Sequence, residues 1–295
     1  MTRVLFTGLT GFLGKNFMNY AKNLTLFPLP CDVLASQGKL TDFNYHFTTE
    51  ELHRAGITDI DIVVHAGAFS PKTREQMNEI TGNLQNITNT AYLMMHLPNK
   101  PKRIIYISSI SVYDLNHLKH IDETSPTASD SLYGLSKLTS EKIIEEYCKA
   151  NNIECQILRL GVMYGNNLGY SGLIPTFIQN ILQGTALTIY GDGATQRNFV
   201  LVDDVCRAIY QAIIQPKIIH PIVNVVNHKN ISVRKLVNIL QKLCDKQPTI
   251  EYKKQTGQAE DITFDTQVLK QFFPQEMTSY ENGLKKSYLF FKGLK

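Results

Sequence analysis

Arg3-Val4-Leu5-Phe6-Thr7-Gly8-Leu9-Thr10-Gly11-Phe12-Leu13-Gly14 is the stretch on which the reading of this chain turns. Residues 3–7 form a short apolar run of strand type, and residues 14–24 take helical spacing. Between them lie three glycines in the pattern G-x-x-G-x-x-G. Glycine lets a backbone approach a pyrophosphate closely, and a helix N-terminus offers that anion unpaired N–H groups and a partial positive charge. The same three glycines could instead serve a tight turn that packs helix on strand. Their place between the first strand and the first helix favours nucleotide binding. Gly8, Gly11, Phe12, Leu13 and Gly14 are therefore candidate cofactor contacts.

Working outward, strand-like runs at residues 32–35, 61–65, 103–108 and 154–160 alternate with helical stretches at 49–55, 83–97 and 131–151. Thr48 or Thr49 is placed to cap the first of these helices. The strand runs are continuously apolar and rich in β-branched residues, as in strands buried on both faces. Strand–helix alternation of this kind predicts a parallel, doubly wound α/β sheet of Rossmann type. After about Gly165 the texture changes. A loop gives way to a helix over 173–183, a strand over 187–190, a helix over 203–214 capped by Asp203, a strand over 222–226, and a helix over 232–244 capped by Ser232. The expected organisation is a dinucleotide-binding domain of residues 1–165 with returning elements from about 196–228. Residues 166–195 and about 229–295 then form a smaller mixed α/β substrate lobe.

Composition narrows the function. Hydrophobic residues make up 43% of the 295, enough for a sizeable core. A net charge of +4 without basic clusters speaks against nucleic acid. No apolar run approaches the roughly 18 residues that a membrane-spanning helix needs. The sequence enters a strand-like run at once, and a secretory leader, which needs a longer apolar stretch and a small-residue cleavage site, is not expected. Cys31, Cys148, Cys155, Cys206 and Cys244 are odd in number and never spaced C-x-x-C, which suggests reduced thiols in a cytoplasmic protein. The histidines show no metal-ligand spacing, so no metal is expected.

Two further clusters carry chemistry. The dinucleotide fingerprint calls for an acid after the second strand, to bind the adenosine ribose. Here residues 32–35 run into Ser36-Gln37-Gly38-Lys39, with no acid. Ser36 and Lys39 could hold a 2′-phosphate, which leans the cofactor from NAD toward NADP, or they could be ordinary turn residues. Further on, Tyr133-Gly134-Leu135-Ser136-Lys137 sets Tyr133 and Lys137 one helical turn apart on one face. A phenol with a pKa near ~10 is a poor base at neutral pH, and a neighbouring ammonium favours its phenolate. This spacing alone could mark a plain surface helix. Ser109, just past the strand over 103–108, favours catalysis, because its hydroxyl can bind the substrate oxygen with which Tyr133 exchanges a proton.

On these residues the chain resembles the extended short-chain dehydrogenase/reductases, and within them the nucleotide-sugar epimerases, dehydratases and reductases. The resemblance also runs through residues 61–68, 83–89, 108–113, 158–165 and 190–205. It implies that Gly8, Gly11 and Gly14 hold the cofactor pyrophosphate and that Ala66, Gly67 and Ala68 line the cofactor. It implies that Ser109, Tyr133 and Lys137 form the catalytic set, with Lys137 also on the nicotinamide ribose. Asn83 is either a support for the site or a structural helix asparagine. Ser111 lies on the substrate side. Arg197 grips the nucleotide diphosphate, unless it forms a salt bridge to Asp203 or Asp204. The resemblance also implies a homodimer paired through the helix of Tyr133 and the helix after Asn83, with Ile143, Ile144 and Tyr147 on the apolar face of the first.

The chain departs from the family at four points. Dehydratases carry Asp-Glu after the catalytic hydroxyl where this chain has Ile110-Ser111, so 4,6-dehydration is not expected. Bifunctional epimerase-reductases carry cysteine where Ser111 stands, so deprotonation at C3 and C5 is not expected either. Val162 replaces a frequent asparagine, and no arginine follows Arg234. The compact region 35–61 looks more like that of the 4-keto-sugar reductases. The expectation is an NAD(P)-dependent enzyme transferring hydride at C4 of a nucleotide-diphosphate sugar, leaning to a 4-keto-sugar reductase. A 4-epimerase is the alternative, and a non-catalytic cofactor-sensing regulator is the reading from another class.

Overall fold

The computed structural model describes residues 2–22, 48–54, 56–166, 172–244, 247–254 and 261–293. The expected second strand, Ser36, Lys39 and Cys31 lie outside the described residues. Five parallel strands form the central sheet: β1 (Val4–Thr7), β2 (Ile62–His65), β3 (Arg103–Ser109), β5 (Glu154–Leu160) and β10 (Ile222–Val225), in the order β1-β2-β3-β5-β10, while the short strands β4 (His120–Ile121), β6 (Val162–Tyr164) and β9 (Phe199–Leu201) pair outside it. Their residues are almost wholly buried, which accounts for the lack of polar alternation.

The two sheet faces take alternate residues of each strand. Phe6, Val64, Ile105, Ile107, Leu158 and Val223 pack on one side in one cluster with α1 (Phe12–Lys22), α6 (Val202–Ile214) and the short α8 (Gln267–Phe272). Phe17 of α1 stacks on Phe6 with ring centroids 4.8 Å apart. Leu5, Val63, Ile104, Tyr106 and Ile157 pack on the other side with Leu93, Met94, Ile144 and Cys148. These last belong to α3 (Ile80–Met95) and α4 (Leu132–Asn151). A separate apolar cluster joins α5 (Leu173–Gln183), β7 (Leu187–Tyr190), α7 (Val233–Leu243) and α9 (Tyr280–Gly293).

Local signals mostly act as expected. The short helix α2 (Thr49–Arg54) opens with a capping box: Glu51 N–H donates to Thr48 Oγ1 at 3.2 Å, and Thr48 N–H to Glu51 Oε2 at 2.9 Å. Ser131 caps α4 and Ser232 caps α7. Asp203 does not cap α6. That helix begins at Val202 with Leu201 at the cap position and no side-chain cap, and the Asp203 carboxylate instead accepts from Lys286 of α9. The tertiary ion pair places Asp203 inside the first turn, where an acid still faces the positive end of the helix. Ile143, Ile144 and Tyr147 also differ from expectation. They pack inward with the sheet, Ile144 fully buried, because that side of α4 covers β3 and β5.

Candidate active site

The three glycines of the first loop prove to have different reasons. Gly8 has φ +81°, and a Cβ there would lie 2.8 Å from Gly67 on the loop after β2. A Cβ on Gly14 would lie 2.3 Å from Gly8 O and 2.4 Å from Leu9 Cα, so Gly14 lets α1 start hard against the loop. Gly11 has neither constraint. It is exposed, and a Cβ on it would meet only Gly8 O, at 3.3 Å. The protein's own packing leaves room over Gly11 at the start of α1, and that room fits a pyrophosphate approaching the backbone. Leu13 is buried in the core and Phe12 is half-buried, so what they turn toward such a ligand is backbone N–H.

His65, Thr7 and Gly67 fasten the facing loop. Gly67 N–H donates to Thr7 Oγ1 at 3.0 Å, and Thr7 Oγ1 lies 2.8 Å from His65 Nδ1. The Thr90 hydroxyl donates to Asn86 O at 2.8 Å, so it accepts from His65 Nε2–H, 3.0 Å away, and Nδ1 is left to accept from the Thr7 hydroxyl. Burial, with the Lys137 charge adding to it, pushes the His65 pKa down to about 3, so the ring is neutral. Ala66, Gly67 and Ala68 are thus held beside Gly8 by a neutral structural histidine.

The Tyr133–Lys137 face of α4 lies against the end of β3. A Cβ on Gly134 would fall 2.0 Å from Ser111 O and 2.0 Å from Ser129 Oγ. Only glycine lets the first turn of α4 close on the Ser109–Ser111 segment. Gly134→Ala is expected to cost about 1–3 kcal/mol from overpacking and to lower turnover at least tenfold by moving Tyr133. Thermal melts and initial rates check both parts. Within the segment, Ser109 Oγ accepts from Ser111 N–H at 3.1 Å and donates to Ser111 Oγ at 3.1 Å. The Tyr133 hydroxyl meets the hydroxyls of Ser109 and Ser70. Burial raises its pKa above that of a free phenol, and hydrogen bonding with Ser109 and Ser70 offsets this only in part.

Lys137 is buried. Its Nζ donates to Ile107 O at 2.6 Å and stands 4.3 Å from the centroid of the Tyr106 ring. Burial pushes its pKa down to about 7, against an upward pull from Glu141. The ammonium is drawn to the Ile107 carbonyl and the Tyr106 ring, so burial and the two serines set the state of Tyr133, which is a phenol at neutral pH.

Sequence reasoning missed several residues here. Asn86 joins three parts: its Oδ1 accepts from Phe69 N–H at 2.7 Å, and its Nδ2 donates to Phe69 O at 3.2 Å and to Ser136 Oγ at 3.1 Å. It ties the loop carrying Ser70 to α4. Gly82 makes room for the Phe69 ring, which a Cβ would meet at 2.6 Å. The available signal was the asparagine spacing 83, 86, 89 on one side of α3. Asn83 is buried, and its Nδ2 donates to Glu79 O at 2.5 Å and to Gln76 O and Met77 O, so it braces the 3₁₀ turn Glu75–Asn78 before α3. Arg197 sits on a short strand, β8 (Gln196–Arg197), half-buried, with Nη1 donating to Gln196 O at 3.0 Å. Asp203 and Asp204 are engaged elsewhere, by Lys286 and by Arg207 and Thr278, so the alternative salt bridge is not made. The structure therefore brings Ser109, Ser111, Tyr133 and Lys137 together next to the glycine loop's partner strand, with Arg197 on a separate element.

A glycine loop opening the first helix of a parallel sheet with helices on both faces, and a serine, tyrosine and lysine gathered at the end of its third strand, define the class as a dinucleotide-binding fold. The chain belongs to the NAD dependent epimerase/dehydratase family, whose model matches residues 4–225. It is 28% identical over 250 residues to a putative UDP-glucose 4-epimerase of Methanocaldococcus jannaschii, the match covering 81% of each protein. A dTDP-D-glucose 4,6-dehydratase of Dictyostelium discoideum is 26% identical over 234 residues, covering 70% of this chain, which spans about half (54%) of that protein's length. In fold the chain is similar to the UDP-glucuronic acid 4-epimerase of Bacillus cereus, solved with UDP-glucuronic acid and NAD. The TM-score is 0.79, at 23% identity over 100% of both chains. Among the described residues no helix is long and apolar enough to cross a membrane, and no cluster of side chains suits a metal ion.

Proposed function

We propose that this protein is a cytoplasmic NAD-dependent 4-epimerase of a nucleotide-diphosphate sugar. The observation that carries the reading is the Ser109–Tyr133–Lys137 set beside a glycine loop, followed by Ile110 and Ser111, with no acid to expel a C6 hydroxyl. That combination supports hydride exchange at C4 and argues against dehydration. The epimerase named among the relatives that match most of this chain's length supports the choice within it. When bound, the dinucleotide would accept and return the C4 hydride. Gly8, Gly11, Gly14 and the first N–H groups of α1 would hold its pyrophosphate, Ala66, Gly67 and Ala68 would line it, and Lys137 would bind its ribose. Ser109 steadies the C4 oxygen, the ionised fraction of Tyr133 takes the C4 hydroxyl proton and later gives one back, and Ser111 keeps the Ser109 hydroxyl oriented. Arg197 offers the paired donors that suit a diphosphate. In this reading residues 1–165, with 196–228 returning, hold the cofactor, while 166–195 and 229–295 hold the sugar nucleotide.

Purified protein should carry bound NAD and interconvert the C4 epimers of a UDP-hexose or UDP-uronate without added cofactor. A second reading, a 4-keto-sugar reductase using NADPH, is favoured by the missing acid after residue 35 and by Ser36 and Lys39. It predicts protein that emerges without cofactor and consumes NADPH mole for mole with a 4-keto-6-deoxy sugar nucleotide. The double change Ser36→Asp, Lys39→Ala then shifts preference toward NADH. The two assays have opposite outcomes, and failure of both would remove the C4 assignment.

The active form is proposed to be a homodimer. Ile80 and Leu84 on α3 and Leu132 and Leu135 on α4 are exposed apolar side chains, at 70%, 55%, 36% and 44%. These, and not Ile143, Ile144 and Tyr147, would meet the second copy. Sedimentation at micromolar concentration should give the dimer mass, and Leu84→Glu should give the monomer.

A further inference from the structure

Tyr133, Lys137 and Glu141 follow one another at single-turn spacing along α4, and the third is wholly buried, at 0% exposure. A carboxylate taken out of water needs charge and hydrogen bonds to match it. Glu141 has both. Arg159 Nε donates to Oε1 at 3.0 Å and Arg159 Nη2 to Oε2 at 2.7 Å, while Ser108 Oγ donates to Oε1. Ser108 and Arg159 are register partners across β3 and β5, and Arg159 and Asn224 across β5 and β10. A row of three polar side chains therefore crosses an otherwise apolar sheet under this part of α4. Tyr113 completes it, its hydroxyl accepting from Arg159 Nη1 at 2.8 Å and donating to Asn224 Oδ1 at 2.9 Å.

Apolar groups of similar volume would stabilise such a core as well or better. The ion pair is also fixed in direction, because two strands each bond to a carboxylate that the helix carries. It lies one turn from an amine that is itself buried and bonded to Ile107 O, one residue from Ser108.

We propose that Glu141, anchored by Arg159 and Ser108, is a positioning residue that keeps Lys137 in its ammonium form and aimed at the site. The proposal rests on Lys137 belonging to the active site, as in the function proposed above. The titratable groups around Lys137 are His65 from β2, Tyr106 from β3, and Tyr133 and Glu141 one turn to either side on α4, with Arg159 of β5 behind Glu141 and paired to it; the uncharged Asn86 and Thr90 of α3 bond to Ser136 and Ser140 of the same helix. His65 and Tyr106 are neutral at physiological pH, His65 because burial pushes its pKa down and Tyr106 because burial pushes its pKa up. Glu141 is the carboxylate among them, and it opposes the burial that drives Lys137 down to about 7. Without it the amine would lose its proton below neutrality.

The test is a ¹³C NMR titration of lysine-labelled, cofactor-free protein, following the resonance that vanishes in Lys137→Met. In Glu141→Gln the Lys137 midpoint should fall by at least ~1 pH unit, the low end for loss of a close opposite charge. Glu141→Asp should restore most of it. Glu141→Gln leaves Arg159 uncompensated and can fail to fold, so Glu141→Gln with Arg159→Met is the second variant, with a smaller fall in the same direction expected because the paired positive charge leaves with the carboxylate. Ser108→Ala, which keeps both charges, should move the midpoint little. An unchanged midpoint in the folded Glu141 variants overturns the proposal. The titration needs no substrate, so it is separate from the functional reading, which fails instead if Lys137→Met turns over normally.

Discussion

Tyr133→Phe is expected to fold, to bind dinucleotide as the native protein does, and to lose turnover by a factor of at least ~100, the usual scale of acid–base catalysis. The change removes one oxygen. Tyr133 contacts the Ser109 and Ser70 hydroxyls through that oxygen, while its backbone carbonyl accepts from Ser136 Oγ at 2.8 Å and keeps the first turn of α4 in place. No residue nearby can replace the phenol: Lys137 is fastened to Ile107 O, and His65 is neutral and held between Thr7 and Thr90. Single-turnover rates with and without the oxygen, beside a cofactor titration, give the answer. Normal turnover in Tyr133→Phe would mean that the proton passes through another group and that the catalytic assignment is wrong.

Gly14→Ala and Gly11→Ala should fail in opposite ways. An alanine at 14 pushes a Cβ to 2.3 Å from Gly8 O and 2.4 Å from Leu9 Cα, both backbone atoms of a loop pinned from the other side by Gly67. The strand β1 and the helix α1 would have to separate, which breaks the packing of Phe17 on Phe6. The expected loss is at least ~3 kcal/mol, at or beyond the upper end for overpacking, read from denaturant melts. An alanine at 11 meets only Gly8 O at 3.3 Å and needs a small local adjustment. It should leave the melt nearly unchanged and weaken dinucleotide binding at least tenfold, or about 1.4 kcal/mol, by filling the space over the start of α1. If Gly11→Ala bound dinucleotide normally, the pyrophosphate would have to lie elsewhere.

The glycine spacing, the continuously apolar strands and the i, i+4 tyrosine–lysine pair are local or periodic signals, and each predicts its element without knowledge of distant neighbours. That is why the parallel sheet, the helix of Tyr133, the caps at Thr48 and Ser232 and the glycine loop could be read from the chain alone. Asp203 shows the limit of such signals. Its type and position suit a helix cap, but Lys286, far along the chain, decides where the carboxylate goes. Ile143, Ile144 and Tyr147 show a second limit, since helical periodicity finds an apolar face without saying whether a sheet or another copy covers it.

What only the tertiary structure decided is the environment of the site. In the sequence Glu141, Arg159, Ser108 and Asn224 are separate polar residues inside apolar runs; register across three strands makes them one assembly. The link from the Ser70 loop to α4 through Asn86 likewise depends on two helices packing side by side. The protonation behaviour is the clearest case. Sequence spacing suggests an ammonium that lowers the tyrosine's pKa, but in the folded chain burial raises Tyr133 and lowers Lys137 toward neutrality. Residue types and intervals were written in the chain. Desolvation was not, because the exclusion of water from a side chain depends on every element packed around it.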